Sequence, residues 1–278
     1  MKYKICILGE SGYLGNYLLE FFKKKNYQVF GQKIPRPNHD FKLDEFYTSF
    51  IQDLLTKIND FDLILNCAGS IECKTKSDFF FNSKFDIIFQ KVIIKNNLKI
   101  KYFIFNSTKV FTSGADNYAL SKKLLNNKIE NSKNFYNLYI DLVFEKNSPH
   151  FNTIKEILEK IKLFIVPVFF PGKIFYPISL IQVAETIHNI ILENYLLNKF
   201  ILIGDKKIFF YELINYVKNE CNIKKKIFYV PSKIINLLPD FMKKYFFKSK
   251  SLQQFENYDW LKNIKTSEYL IRSKNNRF

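Results

Sequence analysis

A regular beat of short apolar runs and longer amphipathic stretches constrains this chain more than any other feature. The runs are Lys4–Leu8, Gln28–Gly31, Leu63–Asn66, Tyr102–Asn106 and Tyr136–Val143. Between them lie Tyr13–Lys24, Glu45–Lys57, Phe79–Lys95 and Tyr118–Asn131, each with the spacing of a helix that buries one face. Short apolar strands separated by helices of 10–17 residues predict right-handed βαβ units. The fold class is therefore α/β, a doubly wound parallel sheet with its ligand at the carboxyl ends of the strands.

The second half changes texture. Helices are predicted at Thr153–Lys162, Leu180–Leu196, Tyr211–Glu220, Ser232–Tyr245 and Ser249–Lys262. Short strands are predicted at Lys173–Tyr176, Phe200–Ile203 and Lys226–Val230. The expected organisation is a dinucleotide-binding domain over residues 1–150 and a smaller, mostly helical lobe over 151–278. A late strand near 199–204 should return to the sheet.

Gly9-Glu10-Ser11-Gly12-Tyr13-Leu14-Gly15 leaves the first strand and opens the first helix. Three of the chain's eight glycines fall in these seven residues. The first permits a tight turn, the second lets backbone N–H groups approach a pyrophosphate, and the third lets helix and strand pack closely. Glu10 is an unusual neighbour for a phosphate. The second strand ends without the acidic residue that would bind the ribose 2′-hydroxyl of NAD. Lys33 and Arg36 follow it instead, so the 2′-phosphate of NADP is the expected partner, with NAD the other candidate.

Composition narrows the function further. The 278 residues carry a net charge of +17, yet only three of the 43 basic residues are Arg. Lys, Asn, Ile, Phe and Tyr are abundant together, as AT-rich codons would produce. A specific nucleic-acid reader would favour Arg for bidentate contacts, so no specific nucleic acid is expected. Cys6, Cys67, Cys73 and Cys221 form no disulfide framework or zinc pattern, and the three His are scattered, so no metal is expected. Leu163–Pro171 is about half a membrane span, so no transmembrane segment is expected. Free thiols and the absence of a signal-like apolar region predict a cytoplasmic protein. The basic, aromatic stretch Lys233–Lys250 reads as a helix packing its aromatics, with a membrane surface as the other reading.

Tyr118-Ala119-Leu120-Ser121-Lys122 opens a predicted helix and puts a phenol and an ammonium on one face. A cation favours the phenolate, so the pair suits proton transfer at a carbonyl or alcohol. With the glycine spacing, with Asn66-Cys67-Ala68-Gly69, with Asn82 in the next predicted helix and with Phe105-Asn106-Ser107-Thr108-Lys109-Val110-Phe111, the chain resembles the extended short-chain dehydrogenase/reductase superfamily, its epimerase/dehydratase branch. The dTDP-4-dehydrorhamnose reductase group is nearest in feel. The resemblance covers most of the chain and implies a Rossmann domain and a substrate lobe. It implies Tyr118 as general acid/base, with Lys122 lowering its pKa and binding the nicotinamide ribose. Ser107 would hold the reacting oxygen, with Thr108 the neighbouring hydroxyl, and Asn82 would anchor a water in a proton relay. Gly9, Ser11, Gly12, Tyr13, Leu14 and Gly15 would line the cofactor, as would Asn66, Cys67, Ala68 and Gly69.

Departures from the family pattern carry information. Ten residues separate Ser107 from Tyr118, fewer than in many relatives. Thr108 and Lys109 stand where dehydratases carry Asp-Glu, which disfavours water elimination. Asp141 and Gln182 stand where Arg and Asp are common. The expected function is thus an NADP-dependent reductase acting on a keto group of a nucleotide-activated sugar. A nucleotide-sugar 4-epimerase with tightly bound NAD(P), or a non-catalytic NAD(P)-binding sensor or scaffold, is the alternative. A basic anion-surface binder is a further rival. Pairing of two copies through helices is common in the family, so a homodimer is one expected assembly.

Overall fold

The structure is a computed structural model that describes residues 3–36, 42–58, 60–71, 73–112, 116–129, 134–170, 172–193, 198–231 and, for the backbone alone, 269–273. The first half runs β1 (Lys4–Leu8), α1 (Tyr13–Lys24), β2 (Gln28–Gln32), α2 (Leu43–Lys57), β3 (Leu63–Asn66), α3 (Lys76–Phe81), α4 (Lys84–Lys95), β4 (Lys101–Ser107), a 3-10 turn at Thr108–Phe111, α5 (Asn117–Lys128) and β5 (Phe135–Ile140). The rest runs β6 (Leu142–Val143), α6 (Pro149–Lys160), β7 (Ile165–Phe170), β8 (Ile174–Phe175), β9 (Pro177–Ile178), α7 (Leu180–Leu192), β10 (Lys199–Gly204), β11 (Ile208–Phe209), α8 (Phe210–Glu220), β12 (Lys226–Pro231) and β13 (Tyr269–Ser273).

Seven strands form one sheet in the order β13-β10-β5-β4-β3-β1-β2, and every pairing in it is parallel. The chain winds outward in both directions from between β1 and β3, which leaves a crevice at the carboxyl ends of those two strands. Alternate side chains of each strand enter opposite layers, as a sheet covered on both faces requires. Cys6, Leu8 and Ile64 pack with residues of α2, α3 and α4. Ile5, Ile7, Leu63 and Leu65 pack with residues of α1 and α7. Phe89 stacks on Tyr102 in the first layer and Phe103 on Tyr136 in the second, each at 4.6 Å between ring centres. Each fully buried side chain of this size contributes about 1.5–3 kcal/mol.

A third cluster joins Leu142, Phe144 and α6 to β7 and α8. There β7 and β12 pair in parallel, and β8 and β11 pair antiparallel. The apolar run weighed above against a membrane span supplies β7. Among the described residues no helix is long and apolar enough to cross a membrane.

Two predicted elements break where polar residues intervene. The helix expected over Phe79–Lys95 is two helices, because Asn82 ends α3 and Ser83 adopts a non-helical backbone before α4. A capping box of Thr75 and Asp78 starts α3 earlier than its apolar pattern does. The strand expected over Tyr136–Val143 divides at Asp141, whose carboxylate accepts hydrogen bonds from the Thr108 hydroxyl and the Tyr176 N–H. The helices predicted at Ser232–Tyr245 and Ser249–Lys262, and the basic stretch Lys233–Lys250, lie outside the described residues.

Candidate active site

The glycine loop is built by close approach. Gly9 has φ +75°, its N–H donates to Gln32 O at 2.9 Å, and its carbonyl accepts from Gly12 N–H at 2.9 Å. A Cβ on Gly15 would lie 2.2 Å from the Gly9 oxygen, so no other residue fits there without moving the turn. No described side chain caps the N-terminus of α1, which leaves its first N–H groups facing the crevice. These features fit a pyrophosphate cradle. Ser11 is exposed on the loop, while Tyr13 and Leu14 line the cleft beyond it. Tyr13 also donates its hydroxyl to Glu145 at 2.9 Å, tying the start of α1 to the turn before α6.

Glu10 turns toward β2. Its carboxylate lies 2.6 Å from where a Gly31 Cβ would sit, which is space only glycine leaves. Arg36 reaches the other way. Its guanidinium donates to Gly69 O at 2.8 Å, lies 3.6 Å from the Asp78 carboxylate and covers the Phe81 ring at 4.8 Å. Lys33 is exposed on the same segment. Both basic residues therefore stand beyond the end of β2, with Arg36 at the rim of the Asn66–Gly69 loop.

That loop is held from behind. Asn66 accepts from Ala68 N–H at 3.1 Å and donates to Asp86 at 2.6 Å. Asn82 accepts from Ser70 N–H at 2.8 Å and donates to Ser70 O at 2.7 Å. Asn82 therefore sits at the C-terminal cap of α3, not inside a helix, and its amide grips the loop backbone. Burial pushes the Cys67 and Cys73 thiols up, so both stay protonated at neutral pH.

Ser107, Tyr118 and Lys122 converge on one cleft of about 330 Å³, together with Gly12, Cys67, Ala68 and Gly69. Asp116 caps α5 by accepting from Ala119 N–H at 2.8 Å, which sets Tyr118 and Lys122 in its first turns. Lys122 is buried and donates to Phe105 O at 3.0 Å. Its ammonium lies 5.9 Å from the centre of the Tyr118 ring. Burial lowers its proton affinity, and the Asp86 carboxylate pulls the other way. Asp86 is itself held by Asn66 and by the Tyr102 hydroxyl at 2.7 Å.

Burial pushes the Tyr118 phenol up to about 12, against a hydrogen bond with Ser107 that lowers it. The expectation that Lys122 lowers this phenol has no counterpart in this geometry, where burial drives the shift upward and the Ser107 hydrogen bond is what opposes it. Tyr118 is thus a protonated acid at neutral pH, suited to giving a proton to a developing alkoxide.

Beyond Tyr118 the cleft has a polar floor of Lys109, Asp141, His150 and Lys173, with Asp116 paired to Lys109. Sequence reasoning marked Lys109 and Asp141 only as departures from the family pattern and did not single out Asp86, Asp116, His150 or Lys173 for the site. The signal for Asp86 was one carboxylate inside the apolar face Phe85–Phe89. The floor is assembled from segments far apart in sequence, so nothing local showed that they meet.

No family model matches the sequence, and no curated protein matches it. Solved structures do. A dTDP-4-dehydrorhamnose reductase from Clostridium acetobutylicum matches with TM-score 0.67 and 14% identity over 83% of this chain and 84% of that one. A dTDP-4-dehydrorhamnose reductase from Bacillus anthracis in complex with NADP matches with TM-score 0.64 and 14% identity over 84% and 85%. A GDP-mannoheptose C4 reductase from Campylobacter jejuni with NADP bound matches with TM-score 0.59 and 14% identity over 83% and 88%. The sheet order, the glycine turn and these superpositions together give the chain the fold of the extended short-chain dehydrogenases/reductases.

Proposed function

We propose that this protein is an NADP-dependent oxidoreductase that reduces a keto group on a nucleotide-activated sugar. The observation that carries the reading is one cleft in which a glycine cradle, Ser107, Tyr118 and Lys122 meet. Three structural neighbours are reductases by description, and two of them hold NADP. In this reading residues 1–150 bind the cofactor and 151–278 shape the substrate end.

The cradle fits a dinucleotide: Gly12 lines the cleft, and the turn that shapes it closes only because Gly15 has no side chain to meet the Gly9 carbonyl. The backbone N–H groups of α1 would hold the pyrophosphate. Lys33 and Arg36 would face the adenosine end, and Asn66–Gly69 would form the wall beside it. Bound there, a reduced nicotinamide supplies the hydride. Ser107 would orient the carbonyl oxygen by hydrogen bonding. Tyr118 would deliver its phenolic proton to that oxygen, and Lys122 would hold the ribose and stabilise the phenolate left behind. Asp86 balances the buried charge of Lys122, and Asn82 fixes the loop against which the cofactor would pack.

NADPH oxidation in the presence of a panel of 4-keto nucleotide sugars tests the reading. One NADPH should be consumed per sugar reduced, and Tyr118→Phe should lower kcat by about 10²–10⁴-fold while leaving NADPH affinity intact. Interconversion of sugars without net NADPH consumption would instead make the protein an epimerase. Full activity in Tyr118→Phe would remove the phenol from the chemistry.

A further inference from the structure

The polar floor beyond Tyr118 contains a cation with no assigned use. Lys173 follows Gly172, and its backbone carbonyl accepts from Phe210 N–H at 2.9 Å, which anchors the residue between β7 and β8. Its ammonium lies 5.0 Å from the centre of the Phe175 ring. Among the described residues it makes no hydrogen bond or ion pair, although it lines the cleft. His150 lines the same wall and has no hydrogen-bond partner there either.

The nearby acids are committed elsewhere. Asp141 accepts from the Thr108 hydroxyl at 2.6 Å on one oxygen and from Tyr176 N–H at 2.6 Å on the other. Asp116 caps Ala119 with one oxygen and pairs with Lys109 at 3.1 Å with the other. Lys109 also lies 5.1 Å from the centre of the Tyr118 ring, so this floor adjoins the reacting position. An ammonium withdrawn from water without a bonded counter-charge costs free energy, and burial accordingly lowers the proton affinity of Lys173. A ligand bearing negative charge removes that cost when it binds.

Resting on the reading above, we propose that Lys173, with His150 and Lys109 beside it, forms an anion subsite at the substrate end of the cleft. The group it holds is an anionic oxygen of the substrate, either a carboxylate on the sugar or a phosphate of the activating nucleotide. Lys173 makes the direct charge-assisted hydrogen bond, His150 supplies a neutral donor, and Lys109 adds long-range attraction while paired with Asp116.

Calorimetric titration of the full chain with UDP, dTDP, UDP-glucose and UDP-glucuronate tests this, using wild type, Lys173→Met and Lys173→Arg. NADPH binding and the thermal midpoint are measured on each. Lys173→Met should weaken at least one anionic probe about tenfold or more, the worth of one charge-assisted hydrogen bond. Lys173→Arg should keep most of the affinity. The midpoint of Lys173→Met should not fall, because an unpaired buried charge has been removed, whereas a purely structural lysine would destabilise on loss. Weakening of UDP or dTDP identifies a phosphate, and weakening confined to UDP-glucuronate identifies a carboxylate. Equal affinity of wild type and Lys173→Met for every probe, or no binding of any probe to wild type, overturns the subsite. Failure of NADPH to bind wild type would instead sink the cofactor reading, leaving the subsite to be judged by the nucleotide titrations alone.

Discussion

At the scale of single residues, Glu10 and Arg36 set up an electrostatic contest at the end of β2. Arg36 and Lys33 bring positive charge to this end of the sheet, while the Glu10 carboxylate lies over Gly31 on the same side of the glycine turn. A 2′-phosphate placed between them meets attraction and repulsion together. Repulsion between partly exposed charges near contact is on the order of 1 kcal/mol. Glu10→Gln should therefore tighten NADPH about fivefold relative to NADH, with little change in NADH affinity. Fluorescence titration of both cofactors checks this. An unchanged ratio would mean that the carboxylate faces away from the 2′ position.

At the scale of elements, what was legible in the sequence was what is locally encoded. The glycine turn and the first four strands each depend on residues close in sequence, so periodicity and spacing reveal them. The Tyr118/Lys122 pair is equally local, but it was the family resemblance that singled it out among many Tyr and Lys. Asn82 shows where that stops. Its position near the site was legible, but its partner, the backbone of Ser70, is set by how α3 meets the loop after β3. The division of the Tyr136–Val143 run at Asp141 is a similar case, since Thr108 and Tyr176 come from distant elements. β7 was read only against a membrane span because its partner β12 lies 61 positions further on.

The Asn82 clamp makes an element-level prediction. Asn82→Ala leaves the Ser70 N–H and C=O without their side-chain partner, which costs about 1–3 kcal/mol if water does not replace it. The thermal midpoint should fall, and NADPH affinity should fall more than the affinity for a free nucleotide sugar, because the loosened loop borders the cofactor wall. Asn82→Asp keeps the acceptor but loses the donor to Ser70 O, so it should recover only part of the loss. Equal loss of both ligands would point to general unfolding instead of a loosened wall.

For the whole molecule, charge and burial act in opposite directions as pH rises. The net charge of +17 at neutral pH favours expansion by self-repulsion, and loss of lysine protons relieves it. Lys122 and Lys173 have their proton affinity lowered by burial, so the folded state gains stability as pH rises from their folded values toward the ordinary lysine value of about 10.4. The buried tyrosines do the reverse. Tyr13, Tyr47, Tyr102 and Tyr136 are pushed up by desolvation, and Tyr118 reaches about 12. Each holds its proton more tightly when folded, so its contribution is complete below the unfolded value of about 10 and is lost as pH climbs toward the folded one. Every such phenol adds up to about 1.4 kcal/mol per pH unit to that loss. Five phenols against two ammonium groups give a net loss. The urea midpoint should therefore hold or rise slightly between about pH 7 and pH 9 and drop steeply above about pH 10. Added salt should raise the midpoint at neutral pH, where self-repulsion operates, and should not rescue the alkaline drop, which comes from desolvation. Circular dichroism across a pH and urea grid, with tyrosinate absorbance followed in parallel, measures both. A midpoint that stays level past pH 11, or tyrosines that all ionise before unfolding, would contradict the desolvated phenols that this core contains.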